Sequence, residues 1–168
     1  MKNIYLIGFM GAGKSTAARA LSDAAGMDMV EMDQRIEKEQ EIPITEIFAV
    51  YGEAYFRDLE TELIGSLAKK TGLVVSCGGG SVLREKNAAL MKESGCIVLL
   101  TATPETIYER VRHSTNRPVL NGNMNVDYIR ALMEKRRERY EAVADVMIPT
   151  DGRTIREIAA DILEHVQK

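Results

Sequence analysis

The sequence predicts an α/β fold, a parallel sheet covered by helices, and three observations carry that prediction. Short apolar runs alternate with longer segments of helical period from one end of the chain to the other. One of the runs, Ile97-Val98-Leu99-Leu100, is continuously apolar, as a strand covered on both faces must be. A glycine-rich turn, Gly8-Phe-Met-Gly-Ala-Gly-Lys-Ser15, joins the first apolar run to the first helical segment. Roughly five strands are expected from this rhythm.

The first strand is expected over 3–7 and the first helix over 15–25. The turn between them fits G-x-x-x-x-G-K-[S/T] in the strand–turn–helix context that gives the pattern its meaning. Its glycines let backbone N–H groups converge on phosphate oxygens at a helix N-terminus, which already favours negative charge. Lys14 can then reach the β- and γ-phosphates, and the Ser15 hydroxyl can hold Mg²⁺. An ordinary βα turn would explain the glycines but not the Lys-Ser pair directly after them.

The second strand, over 29–32, carries Glu31 and leads to Asp33, at the end of the sheet where open α/β folds bind ligands. Alternation puts both side chains on one face. Asp33 also suits the N-cap of a helix beginning near Gln34, which leaves Glu31 unexplained in an apolar strand. A carboxylate near Mg²⁺ beside a base for a hydroxyl nucleophile explains both.

A helical stripe of Phe56, Leu59, Leu63 and Leu67 follows, and Arg57 lies on that helix. Glu53 and Glu60 stand at i−4 and i+3 from it, so a surface ladder of ion pairs is the economical reading. The third strand, over 73–76, ends without the aspartate expected there for Mg²⁺ and runs into Gly78-Gly79-Gly80, where backbone amides can approach a ligand closely. Gly72 and Gly95 stand where helices should stop.

The fourth strand is expected over 96–101, and Thr103-Pro104 reads as N-cap and first residue of a helix running toward His113. The segment 113–124 is polar and turn-rich and carries a lone arginine, Arg117. In a phosphoryl-transfer enzyme such a segment is a natural lid over ATP. The next helix, from about Val126, has an apolar face of Ile129, Leu132, Met133, Tyr140 and Val143, and Arg136 falls inside that stripe. An arginine facing inward needs an anion. A substrate carboxylate and an internal acid serve equally well. The fifth strand covers 146–148, and Thr154 with Glu157 forms a capping box for the last helix.

At 168 residues the chain suits one domain, 1–168, with a substantial core. Its 22 basic and 25 acidic residues leave a net charge of −3, which argues against nonspecific nucleic-acid binding. Cys77 and Cys96 form neither a disulfide framework nor a metal-ligand spacing, so buried, reduced thiols in a cytoplasmic protein are expected. The N-terminal apolar stretch is broken by Gly8 and Gly11 and reads as neither a signal peptide nor a membrane span. A monomer acting on small molecules is expected, with no nucleic acid or membrane as partner.

Together these residues resemble the shikimate kinase family over about 3–166. The resemblance rests on the phosphate loop through Thr16, on Asp33 with Ile36-Glu37, and on Glu46-Ile-Phe48. It continues through Gly52-Glu-Ala-Tyr-Phe-Arg57 with Glu60, the glycine triplet, Arg117-Pro-Val-Leu120, and Arg136 with Tyr140. It implies a three-layer kinase fold with a five-stranded parallel sheet in order 2-3-1-4-5, and MgATP-dependent phosphorylation of the 3-hydroxyl of shikimate.

By the same resemblance Gly11, Ala12, Gly13, Lys14, Ser15 and Thr16 bind nucleotide, with Arg110 and Arg153 beside the adenine and Arg117 on the phosphates. Asp33, Arg57, Gly78, Gly79, Gly80 and Arg136 bind shikimate, which resolves Arg136 in favour of the substrate. Lys14, Asp33 and Arg117 are the catalytic residues so implied, with Ser15 and, through water, Glu31 on Mg²⁺. Two departures stand out: Glu31-Met-Asp33 replaces the usual Asp-x-Asp, and Val119-Leu120 replaces Leu-Leu. A kinase for gluconate or a nucleoside monophosphate is the nearest competing enzyme, and a silent ATP-binding domain the competing non-enzyme.

Overall fold

The computed structural model describes residues 2–112 and 124–167. Five parallel strands form one sheet in the order β2-β3-β1-β4-β5: β1 Asn3–Ile7, β2 Asp28–Glu31, β3 Leu73–Ser76, β4 Gly95–Thr101 and β5 Val146–Pro149. β1 sits at the centre, and all five of its residues are buried.

That order fixes the layers. Parallel crossovers are right-handed, so the one connection that runs leftward across the sheet, through α1 (Lys14–Ala25), must lie on the opposite face from those that run rightward. The rightward set includes α4 (Glu53–Leu67) and α5 (Glu85–Ser94), which pack on each other. The C-terminal helix α8 (Ile155–Val166) returns to pack against α1. Between β2 and α4 lie α2 (Met32–Gln40) and α3 (Ile44–Tyr51); α6 (Pro104–Val111) and α7 (Val126–Val143) pack together beyond β4.

Several local expectations need correction. The second strand ends one residue early: α2 begins at Met32, Glu31 is its N-cap, and Asp33 sits in its first turn. The alternation argument therefore does not apply to Glu31 and Asp33, because a helical residue follows a strand residue. The helix after Thr103 ends at Val111, capped by Arg112, short of His113. Gly72 ends no helix, since α4 closes at Leu67; Gly95 ends α5 and also opens β4. Cys77 is buried as expected but Cys96 only half-buried, and both thiols are free.

The caps read from sequence are present. Thr103 accepts a hydrogen bond from the Thr106 amide, and Thr154 from the Glu157 amide. No helix among the described residues is long and apolar enough to cross a membrane. The segment 113–123, with most of the expected lid and Arg117, lies outside the described residues.

Candidate active site

A cavity of about 410 Å³ opens at the C-terminal ends of β1, β2 and β3, where an open parallel sheet leaves its loops free to receive a ligand. The phosphate loop forms one wall. Gly11 and Gly13 adopt left-handed backbone (φ 81° and 95°), which glycine reaches without the steric cost of a Cβ. Gly13 is the N-cap of α1, so the loop delivers its amides to that helix terminus. The Lys14 ammonium donates to the carbonyls of Gly8 (2.6 Å) and Phe9 (3.1 Å), folded along the loop it would leave to meet a phosphate.

β2 and β3 set the next group. Their register places Glu31 beside Ser76. The Ser15 hydroxyl donates to the Glu31 carboxylate and lies 3.3 Å from the Ser76 hydroxyl. Two hydroxyls and a carboxylate, all oxygen donors, therefore meet at the start of α1 beside the phosphate loop. Such a set suits Mg²⁺, which takes one or two carboxylates and completes its shell with water and substrate phosphates. Ser76 had a signal in the sequence, as the residue closing the strand that lacks the expected aspartate.

The rest of the wall comes from α4, α7 and the glycine triplet, whose Gly79 adjoins the phosphate loop. Arg57 pairs with Glu60 at 2.7 Å and more loosely with exposed Glu53 at 4.0 Å. The surface-ladder reading thus fails for Glu60, which is fully buried (0% exposed) and lines the cavity. Burial pushes its carboxyl above the ordinary carboxylate value, and nearby Asp33 adds to that, while Arg57 and Arg136 oppose it. Glu60 Oε2 has no hydrogen-bond partner among the described residues.

Functional side chains close around the triplet, so a Cβ at Gly78 or Gly80 would displace them. A Cβ on Gly78 would lie 2.6 Å from Glu60 Oε2 and 3.1 Å from Asp33 Oδ1, and one on Gly80 would lie 2.5 Å from the Arg57 guanidinium carbon.

Arg136 faces inward as its place in the apolar stripe predicts. It is 7% exposed, its guanidinium carbon stands 5.8 Å from the centre of the Phe9 ring, and Nη1 has no hydrogen-bond partner. No ion pair to an acid supports the internal-partner alternative among the described residues. An arginine buried in this way is normally matched by an anion. Arg57, Arg136 and the triplet thus surround a space suited to a carboxylate, within the same cavity as the phosphate loop.

The cavity walls also include Gly11, Gly13, Ser15, Thr16, Asp33 and Arg110. Arg110 donates to the Gly11 carbonyl at 3.0 Å and to the Thr150 hydroxyl at 3.3 Å, tying the phosphate loop to the segment after β5. Arg153 is not part of the wall: it donates to the Pro149 carbonyl and pairs with Asp161 at 3.0 Å.

Comparison with known proteins points the same way as the geometry. The family model described as shikimate kinase matches residues 10–167. A shikimate kinase of Persephonella marina is 42% identical over 167 residues, covering 99% of this chain and all of that protein. Another, of Thermodesulfovibrio yellowstonii, is 40% identical over 168 residues, covering 100% of this chain and 96% of the relative. Among solved structures, shikimate kinase from Acinetobacter baumannii in complex with shikimate superposes with a TM-score of 0.95 at 33% identity, covering 99% of this chain and 93% of that one.

Proposed function

The chain belongs to the shikimate kinase family, and we propose that the cavity described above holds both of its substrates. The enzyme phosphorylates shikimate with ATP, a step in aromatic amino acid biosynthesis. In our reading the phosphoryl group goes to the 3-hydroxyl, giving 3-phosphoshikimate and ADP.

The observation that carries the placement is the buried Arg136, whose Nη1 lacks a partner within the cavity that the phosphate loop also lines. Arg136 and Arg57 grip the carboxylate of shikimate from two sides, and the amides of Gly78, Gly79 and Gly80 close the third. This clamp orients the ring so that its hydroxyl faces Asp33, which accepts the proton as the oxygen attacks the γ-phosphorus. The amides of Gly11, Ala12, Gly13, Lys14, Ser15 and Thr16 cradle the phosphates.

Lys14 leaves the loop carbonyls for the β- and γ-phosphates and stabilises charge that grows during transfer. Arg110 is assigned to the adenine from the cavity wall, Arg153 to its outer edge beyond that wall, and Arg117 to the phosphates. Ser15, Glu31 through water, and Ser76 would hold Mg²⁺, which would supply neutralisation of phosphate charge. Glutamate at position 31 fits this role because its carboxylate reaches Ser15 across the extra methylene. We assign the whole chain to one domain and expect a cytoplasmic monomer, with no nucleic acid or membrane as partner.

The test is ADP release measured with shikimate, gluconate, CMP and AMP as acceptors. Strong stimulation by shikimate alone is expected. Equal turnover with gluconate would remove the assignment of the Arg57–Arg136 clamp to shikimate.

A further inference from the structure

Tyr140 follows Arg136 by one turn of α7 and is buried, 5% exposed. Its hydroxyl donates to the Gly79 carbonyl, on the loop that leaves β3 beside the phosphate loop and lines the same cavity. The Arg136 guanidinium reaches the same glycine from one turn earlier on α7. One phenol thus holds a backbone peptide that faces the carboxylate space, and the Arg136 cation approaches that same peptide.

The hydrogen bonds of the turn show why this contact matters. The Gly78 carbonyl accepts from the Ser81 amide (3.1 Å) and hydroxyl (2.7 Å), the Gly79 carbonyl from Tyr140, and the Gly80 carbonyl from the Leu83 amide (3.2 Å). A trans peptide is planar, with its C=O and N–H pointing opposite ways, so tying the carbonyl aims the amide. Ser81 aims the Gly79 amide. Tyr140 aims the amide of Gly80.

The Gly79–Gly80 peptide is also placed between the two arginines. A Cβ on Gly79 would lie 3.3 Å from Arg136 Nη1, and one on Gly80 would meet the Arg57 guanidinium. The Arg136 guanidinium also stands over the Phe9 ring, so it is held between that ring and the Gly79 backbone it approaches. A second contact from the same helix, Arg139 Nε to the Val82 carbonyl at 2.8 Å, fixes α7 to the far end of this loop.

We propose that Tyr140 is a positioning residue for the substrate carboxylate: its hydroxyl sets the Gly79–Gly80 peptide and the Arg136 guanidinium in one geometry before shikimate arrives. The inference rests on the reading of this cavity as the shikimate site. It adds a preorganising function to a side chain that packing alone would class as core.

The test is Tyr140→Phe, which keeps the ring and its packing and removes only the hydroxyl. Initial rates are measured with shikimate varied at saturating ATP and the reverse, alongside melting temperatures with and without shikimate. The KM for shikimate is expected to rise five- to tenfold, with kcat within about twofold, the KM for ATP unchanged, and a smaller stabilisation by shikimate. A shikimate KM within twofold of wild type overturns the proposal, as does a lowered melting temperature with normal kinetics, which would make Tyr140 purely structural.

Arg136→Met and the double variant are run in parallel. If Tyr140 acts through Arg136, adding Tyr140→Phe to Arg136→Met changes the KM for shikimate by less than it does alone. Full additivity overturns the proposal. A normal shikimate KM in Arg136→Met overturns the site assignment instead, so the two failures are distinguishable.

Discussion

Asn3 and Arg136 are both buried polar side chains, but they belong to opposite ends of the same sheet and are satisfied in different ways. Asn3, 1% exposed at the start of β1, donates to the Tyr5 hydroxyl and the Leu67 and Lys70 carbonyls, and accepts from the Leu73 amide. Tyr5, fully buried, passes the chain on to Ser94 at 2.6 Å. This end of the sheet closes its polar network from within and pins the entry to β3 beside the entry to β1. At the other end Arg136 Nη1 and Glu60 Oε2 are buried with no hydrogen-bond partner among the described residues. Folding usually satisfies buried polar groups, so two left unmet on the wall of one cavity point to a ligand there, whereas the unmet Asn87 oxygen lies off that wall. One end of the sheet carries stability, and the other holds binding capacity in reserve.

The contrast is sharpest at Lys14. Lys14→Ala is expected to lower turnover at least about a thousandfold, roughly 4 kcal/mol of transition-state stabilisation, because it removes the cation beside the transferring phosphoryl group. The melting temperature should barely move, since the lost contacts run to loop carbonyls at the cavity edge. Near-normal ADP release would place the chemistry elsewhere.

Asn3→Ala probes the opposite end and should do the reverse. It removes the partner of the buried Leu73 amide and of two carbonyls, so a loss of about 2–3 kcal/mol in unfolding free energy is expected. Urea denaturation gives that figure, and the Michaelis constants should stay within about twofold of wild type. A raised KM for shikimate in this variant would mean that the two ends are coupled, and the contrast would collapse.

Arg136→Met comes next in size. It keeps the length and packing of the side chain and removes the charge. The KM for shikimate should rise at least about tenfold, equivalent to about 1.4 kcal/mol, with ATP affinity unchanged. Stability should hold or improve, because an uncompensated cation leaves an apolar face. A variant that binds shikimate normally but unfolds easily would make Arg136 a residue of the structural kind.

How much of this was legible in the sequence follows from how local each signal is. The phosphate loop was readable because seven or eight consecutive residues specify a single backbone shape and its chemistry. Arg136 was readable because a cation in an apolar stripe contradicts its surroundings whatever those are. Glu60 was not, since i+3 spacing from Arg57 describes a surface pair and a buried pair equally well. Its burial depends on the β3 loop closing over α4, a contact no local pattern encodes. Glu31 and Asp33 were found for a reason that did not hold. The strand stops one residue early, so a helical turn rather than alternation brings both carboxylates to the cavity. The Tyr140 contact was out of reach, because an aromatic residue at helical spacing reads as core and only the fold shows the carbonyl it meets.

The smallest expected effect belongs to Glu60, and it concerns pH. Burial raises the Glu60 carboxyl above its ordinary value, Asp33 raises it further, and Arg57 and Arg136 offset this only in part. A carboxyl raised on folding contributes most to stability below its unfolded value, and that contribution is lost as pH rises through the folded value. Glu60→Gln carries no titrating group, yet its amide oxygen can still accept from Arg57. Relative to wild type, the variant should therefore gain stability between pH 5 and pH 8, because burial disfavours the ionised carboxyl in the folded chain. Urea midpoints of both proteins at the two pH values measure this as a difference of differences, which cancels every other titrating group. A difference that is flat, or that tilts toward wild type at pH 8, would mean that Arg57 fully compensates an ionised Glu60. In that case Oε2 would carry no unmet demand, and of the two groups that distinguish this end of the sheet only Arg136 would remain.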